Sequence, residues 1–220
     1  MYRFLKRTAD IVLSAIAIIV LAIPMLIVAA SVKFSSKGSV LFWQKRVGKG
    51  KKTFMMPKFR SMYTDTPANM PTHLLNDPSR WITPVGAFLR KSSLDELPQL
   101  WCILTGKMSI VGPRPALWNQ DDLIAERDKY GTNDIHPGLT GWAQINGRDE
   151  LPIEVKAKLD GEYTDAMNKG GWTAFAMDCR CFFGTIGKVL KHDGVVEGGT
   201  GSMLKMDLHR EVTEKEPVNK

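Results

Sequence analysis

The sequence predicts an α+β fold that is mostly helical, and three observations point to it. Residues 11–32 carry no charge over 22 positions, interrupted only by Ser14, Pro24 and Ser31. Residues 40–44 and 53–59 are strand-like and flank a turn rich in glycine and lysine, which reads as a β-hairpin. Apolar residues then recur at helical spacing: Leu94, Leu97, Leu100, Trp101 and Leu104, and later Leu151, Val155, Leu159 and Tyr163. A chain of 220 residues suits one domain, or one domain with an attached segment, and 44% hydrophobic residues suffice for a core. Thirty Lys and Arg against 23 Asp and Glu leave a net charge of +7. That surplus fits nucleic acid, phosphorylated substrates or an acidic membrane surface, and does not choose among them. Cys102, Cys179 and Cys181 lack metal-ligand spacing, so a reducing, cytoplasmic setting is expected.

As a helix, the uncharged run would be about 33 Å long, enough for a bilayer core. It is too long for a usual signal-peptide core, and no disulfide framework follows it. Arg3, Lys6 and Arg7 precede it, and Lys33, Lys37, Lys45 and Arg46 follow, so both flanks carry the charge that marks a cytoplasmic side. Pro24 crowds the carbonyl of Val20 and favours a kink. A tilted spanning helix and a helix that leaves through the leaflet it entered satisfy charge and proline equally.

The most informative stretch is Arg90-Lys91-Ser92-Ser93-Leu94-Asp95-Glu96-Leu97-Pro98-Gln99-Leu100. Ser93 with Glu96 reads as a capping box, and Pro98 requires either a kink or a later helix start. Both versions leave Asp95 and Glu96 at a helix N-terminus, where anions are favoured. An ionised Asp95 beside Arg90 and Lys91 can serve as nucleophile or metal ligand; the bland alternative is an ordinary capped helix. Upstream, Lys58-Phe59-Arg60 closes the hairpin, and residues 62–84 read as a long loop in which His73 has no metal-ligating companion. Downstream, Pro113 and Pro115 lock the backbone around Arg114, which suits either bidentate phosphate recognition or a structural ion pair. Residues 118–130 read as a charge-rich helix, and 136–148 as a glycine-punctuated loop containing Gln144 and Arg148. Lys169-Gly170-Gly171 breaks the chain before an apolar helix over 172–190 that carries Asp178, and the tail beyond about residue 206 is expected to be poorly ordered.

Five of these segments occur in an order that resembles the bacterial sugar transferases, specifically the small monotopic polyprenyl-phosphate phosphoglycosyl transferases: Gln44-x-Arg46-x-Gly48, Lys58-Phe59-Arg60-Ser61-Met62, Leu94-Asp95-Glu96-Leu97-Pro98-Gln99-Leu100, Val111-Gly112-Pro113-Arg114-Pro115, and Pro137-Gly138-Leu139-Thr140-Gly141-Trp142-Ala143-Gln144. The resemblance implies transfer of a phospho-sugar from a UDP-sugar, expected to be an N-acetylated amino sugar, to undecaprenyl phosphate, with release of UMP. This would be the first membrane step of glycoconjugate assembly. It implies Asp95 as the nucleophile that forms a covalent phospho-sugar intermediate, Glu96 as its partner, and Mg²⁺ with Asp95 as its ligand. Lys58, Arg60, Arg90, Arg114, Gln144 and Arg148 are then expected at the substrates. The resemblance also implies a re-entrant membrane helix kinked at Pro24 over residues 1–36, and a catalytic region with interfacial amphipathic helices over 37–205. Residues 206–220 would be the disordered tail. The protein would work at the cytoplasmic face of the bacterial inner membrane, in contact with lipid. Ile23 stands where the family commonly has Ser before the proline, and the family's Asp-x-x-Tyr is recognisable as Asp160-Gly161-Glu162-Tyr163. The roles of Tyr163 and Asp178, the sugar, the pathway and the oligomeric state, a homo-oligomer included, stay open. Two other classes compete: a membrane-bound glycosyltransferase that releases UDP, and a non-enzymatic basic module anchored to the membrane. Cations interleaved with prolines and acids, and no groove-reading motif, argue against a nucleic-acid partner.

Overall fold

The structure is a computed structural model that describes residues 1–66, 78–147 and 151–190. The expectations for His73, Arg148 and the tail lie outside the described residues. The chain begins with two helices, α1 (Tyr2–Val20) and α2 (Ala22–Ser35), bent by 62° at Leu21. Among the described residues no single helix is long and apolar enough to cross a membrane, although the bent pair meets that test together. The bend lies three residues before Pro24, beside the Val20 carbonyl. The proline ring crowds the carbonyl one turn earlier, at Val20, so the backbone gives way next to that carbonyl. Pro24 then falls in the first turn of α2, where its missing N–H costs nothing.

The helix pair has two unlike sides. Phe4, Val12, Ile16, Ile19, Ile23 and Leu26 are exposed. The opposite side of α1 carries Tyr2, Lys6, Asp10 and Ser14 at four-residue steps and faces the rest of the protein. Buried Asp10 accepts from Ser109 Oγ at 2.7 Å and from the Ile110 N–H at 3.0 Å. Arg7 donates to the carbonyls of Leu104 and Met108, and Lys6 pairs with Asp178 at 2.9 Å. One side of α1 is thus fastened to residues 104–110 and to Asp178.

Strands β1 (Leu41–Val47) and β2 (Thr53–Phe59) form the expected antiparallel hairpin, with Leu41 opposite Phe59 and Val47 opposite Thr53. Its turn takes Gly50 through φ 64°, a conformation that suits glycine. Helix α3 (Pro84–Ser92) starts on a true N-cap, the Thr83 hydroxyl accepting from the Gly86 N–H at 2.9 Å, and has proline in its first turn. It ends at Ser93, whose φ of 57° is left-handed. Ser93 closes α3 and its carbonyl accepts from the Glu96 N–H at 3.2 Å, but its side chain makes no cap bond, contrary to the capping-box expectation. Residues Leu94–Gln99 form a 3₁₀ helix that carries Asp95 and Glu96, followed by the short α4 (Leu100–Leu104). Three residues per turn instead of 3.6 shifts the angular register, so Trp101, expected in the buried stripe, is exposed while Cys102 and Ile103 are buried.

Strand β3 (Ser109–Val111) pairs in parallel with β4 (Gly138–Thr140), the latter within the stretch expected as a loop. Helices α5 (Asp121–Asp128), α6 (Trp142–Ile145), α7 (Ile153–Lys169) and α8 (Gly171–Leu190) complete the fold. Helices α1 and α2 share its core: Ala17 and Ile18 pack on Met56, Leu100, Ile103 and Met108, while Val28 and Val32 pack with Phe59 and Leu89.

Candidate active site

The 3₁₀ helix sets the acidic pair between the hairpin and the β3–α5 turn. Leu94 and Leu97 pack into the cluster of Val32, Phe59 and Leu89, which holds the helix against β2. Glu96 receives Lys58 Nζ from β2 at 2.9 Å and both terminal nitrogens of Arg114, at 2.6 and 3.4 Å. Burial alone would raise the Glu96 pKa, but the charges and hydrogen bonds of Arg114 and Lys58 outweigh it and hold the group well below the usual carboxylate range. Lys58 is pulled below its ordinary value by burial, against the opposing charge of Glu96.

Asp95 is only 7% exposed, and burial pushes its pKa up. Lys58, Arg90 and Arg114 lower it through space, while the charge on Glu96 raises it. The two neighbouring carboxylates are therefore driven apart: Glu96 is committed to two cations, and Asp95 has cations nearby but no salt bridge of its own among the described residues. An acid left in that state among cations is suited to attack an anionic phosphorus centre. It also fits Mg²⁺, which takes one or two carboxylates plus substrate oxygens. The described residues contain no cluster of three or more His, Cys, Asp or Glu for a dedicated cage.

Arg114 is held from several sides. Arg46 is oriented by Gln44 Oε1 and donates to the Pro115 carbonyl at 2.9 Å. The Gly112 N–H bonds Thr140 O at 2.7 Å, and the Pro113 carbonyl accepts from the Gly138 N–H at 2.9 Å. Gly112 must stay small, because a Cβ there would lie 2.5 Å from His136 O. Among the expected site residues, then, Asp95, Glu96, Lys58, Arg90 and Arg114 come together. Arg60 does not join them: it is buried and donates to Val32 O, Ser36 O and Ser36 Oγ, closing the C-terminal end of α2. Gln144 lies beside Gly141 and close to Gly112, its amide buried without a partner among the described residues. Arg148 is outside the described residues. Sequence reasoning did not single out Arg46 or Arg127 as parts of the site; Arg46 lay in a quoted motif, whereas nothing local marked Arg127 within a charge-rich helix.

This arrangement has relatives. A UDP-galactose-lipid carrier transferase of Erwinia amylovora is 37% identical over 211 residues, spanning 87% of this chain and 42% of that protein. A UDP-glucose:undecaprenyl-phosphate glucose-1-phosphate transferase of Escherichia coli is 41% identical over 175 residues, spanning 73% of this chain and 36% of that protein. An uncharacterized sugar transferase, EpsL, of Bacillus subtilis is 36% identical over 191 residues and is spanned over 90% of its length. The chain thus covers less than half of the first two proteins and most of the third. Residues 1–192, from α1 through α8, match the family described as bacterial sugar transferase, and the chain belongs to that family.

Proposed function

We propose that the protein transfers a sugar 1-phosphate from a UDP-sugar to undecaprenyl phosphate, releasing UMP, at the cytoplasmic face of a bacterial membrane. The observation that carries this reading is the division between the two carboxylates, Glu96 fully paired and Asp95 left to react. In the first step an Asp95 oxygen bonds to the β-phosphorus and the bond from that phosphorus to the bridging oxygen breaks, so UMP departs with the electron pair. In the second, a phosphate oxygen of undecaprenyl phosphate attacks the aspartyl phosphorus. The Asp95 carboxylate is restored and the diphospho-sugar lipid leaves. Two displacements replace one difficult reaction between two anions. Arg114 and Arg90 supply positive charge for the transferring phosphoryl oxygens, and Lys58 with Glu96 keeps the Arg114 fork in place. Mg²⁺ held by Asp95 and the diphosphate would supply further charge neutralisation.

The bent helix pair supports a re-entrant segment. Both of its ends are tied to one catalytic body, α1 through Lys6, Arg7 and Asp10 and α2 through Arg60. Relatives named for galactose and glucose stand beside the expectation of an N-acetylated amino sugar. The test is one assay: undecaprenyl phosphate and Mg²⁺ with UDP-glucose, UDP-galactose and UDP-N-acetylated amino sugars, reading the nucleotide released. UMP together with a phospho-sugar adduct mapped to Asp95 by mass spectrometry is the expected result. UDP as the product would identify a glycosyltransferase instead.

A further inference from the structure

Helix α7 reaches the Arg114 turn from two residues one helical turn apart, directly through Tyr163 and by way of Arg127 of α5 through Asp160. Tyr163, 1% exposed, places its hydroxyl 2.9 Å from the Val111 carbonyl and 2.8 Å from Asp178 Oδ1. Burial lifts that hydroxyl well above the ordinary phenol range, so it keeps its proton and serves these two acceptors with one hydrogen. Asp160, fully buried, takes Arg127 Nε and Nη2 on one oxygen, and the same Nη2 donates to the Arg114 carbonyl at 2.9 Å. Residues at i and i+3 lie on one helix face, so α7 grips both ends of the segment from Val111 to Arg114. Between these grips Gly112 and Pro113 are bonded to β4 and its flank. Pro113 and Pro115 restrict the backbone on either side, so a displacement of the Arg114 carbonyl is passed on to its side chain. That side chain then meets Glu96 at 2.6 Å.

We propose that Tyr163 and Asp160, the latter through Arg127, are positioning residues for Arg114: they fix where its guanidinium meets the transferring phosphate and touch no substrate themselves. This rests on the reading of Arg114 given above. The test is a double-mutant cycle on the full-length protein in vesicles containing undecaprenyl phosphate. Tyr163→Phe removes the hydroxyl and keeps the ring. It is expected to lower kcat about tenfold while the donor KM changes by less than about twofold. In an Arg114→Ala background the same substitution should change kcat by less than about twofold, because the group it positions is gone. Equal losses in both backgrounds would overturn the proposal, since a merely structural tyrosine acts independently of Arg114. Asp160→Asn keeps the shape and weakens the hold on Arg127, and it runs through the same cycle if Tyr163→Phe yields no folded protein. The Arg114 Nε–H signal in ¹⁵N-labelled protein, assigned by its loss in Arg114→Ala, reports the brace without turnover. A shifted or broadened signal in either variant supports the proposal, and an unchanged one overturns it. Wild-type protein that releases no UMP would defeat the proposed function, while that signal still decides the brace.

Discussion

Asp95 and Glu96 are chemically near-identical neighbours in sequence, yet their surroundings give them opposite tasks. On the proposed mechanism Asp95→Asn removes the charge of the attacking oxygen and is expected to abolish UMP release; retained turnover would exclude the covalent role. Glu96→Gln makes a sharper test. Its charge raises Asp95, and it draws on two cations that otherwise lower Asp95, so its loss lowers the Asp95 pKa on both counts. On the proposed mechanism Asp95 must be ionised to attack, so the acid limb of residual kcat/KM should move to lower pH in Glu96→Gln. An unmoved limb would show that Asp95 does not govern it. Stability responds in the opposite sense for the two acids. The depressed pKa of Glu96 contributes stability that is present above its unfolded value and lost as pH falls through the folded one. Glu96→Gln should therefore destabilise by about 3 kcal/mol at neutral pH, with the gap closing in acid, as read by denaturant melts at two pH values. The acidic pair itself was legible in the sequence as an anionic site at a helix start. What Glu96 does was not: a local capping partner was the natural reading, while its real partners lie 38 and 18 residues away.

Among the elements, those whose signals are local were the ones the sequence disclosed. The hairpin, α7 and α8 follow from alternation, four-residue steps and a glycine break, and they fall close to where those signals put them. The pairing of β3 with β4 joins two three-residue strands across an intervening helix, and neither strand is long enough to show a period. Helix α3 did carry a signal, Thr83-Pro84 ahead of Val85 and Leu89, but it sat at the edge of a proline-rich loop. Its seat is tight: a Cβ on Gly86 would lie 1.9 Å from the Ser61 carbonyl. Gly86→Ala should push α3 off the end of β2 and lower the melting temperature by several degrees, an effect of about 1–3 kcal/mol. A melt matching the wild type would show that the helix shifts freely. The bent pair permits a further test. Pro24→Ala returns one N–H for the Val20 carbonyl, worth about 1 kcal/mol. Straightening would have to break the bonds of Arg7 and Asp10 at one end or those of Arg60 at the other. The N-terminus of Pro24→Ala is therefore expected to stay on the same membrane side as the catalytic region, judged by impermeant labelling of an N-terminal tag in sealed vesicles. It should cross only when Arg7 and Asp10 are also replaced. A complete flip in the single variant would mean that the proline alone sets the topology.

On the scale of the whole molecule, two surfaces compete to explain how the protein would hold a membrane. One is electrostatic, with a formal net charge of +7 and lysines and arginines flanking both ends of the bent pair. The other is apolar: the outer side of α1 and α2, and on α8 the exposed Trp172, Phe175, Phe182 and Phe183, which recur at helical spacing. Each basic residue near an anionic leaflet contributes about 1 kcal/mol, and that contribution fades as the screening length falls to about 3 Å in 1 M salt. A large apolar side chain moved out of water contributes about 1.5–3 kcal/mol and is indifferent to salt screening. With so many such side chains exposed, the apolar contribution is the larger one. Washing membranes with about 1 M NaCl is therefore expected to leave the protein in the pellet, and detergent to release it. Release by salt alone would mean that the bent pair does not enter the bilayer. The proposed function also sets a kinetic expectation, because an acceptor whose tail stays in the lipid would meet Asp95 only at the surface. At a fixed total amount of undecaprenyl phosphate, diluting it with more lipid should lower the rate in proportion to its mole fraction. A rate that instead followed bulk concentration would place the reaction away from the interface.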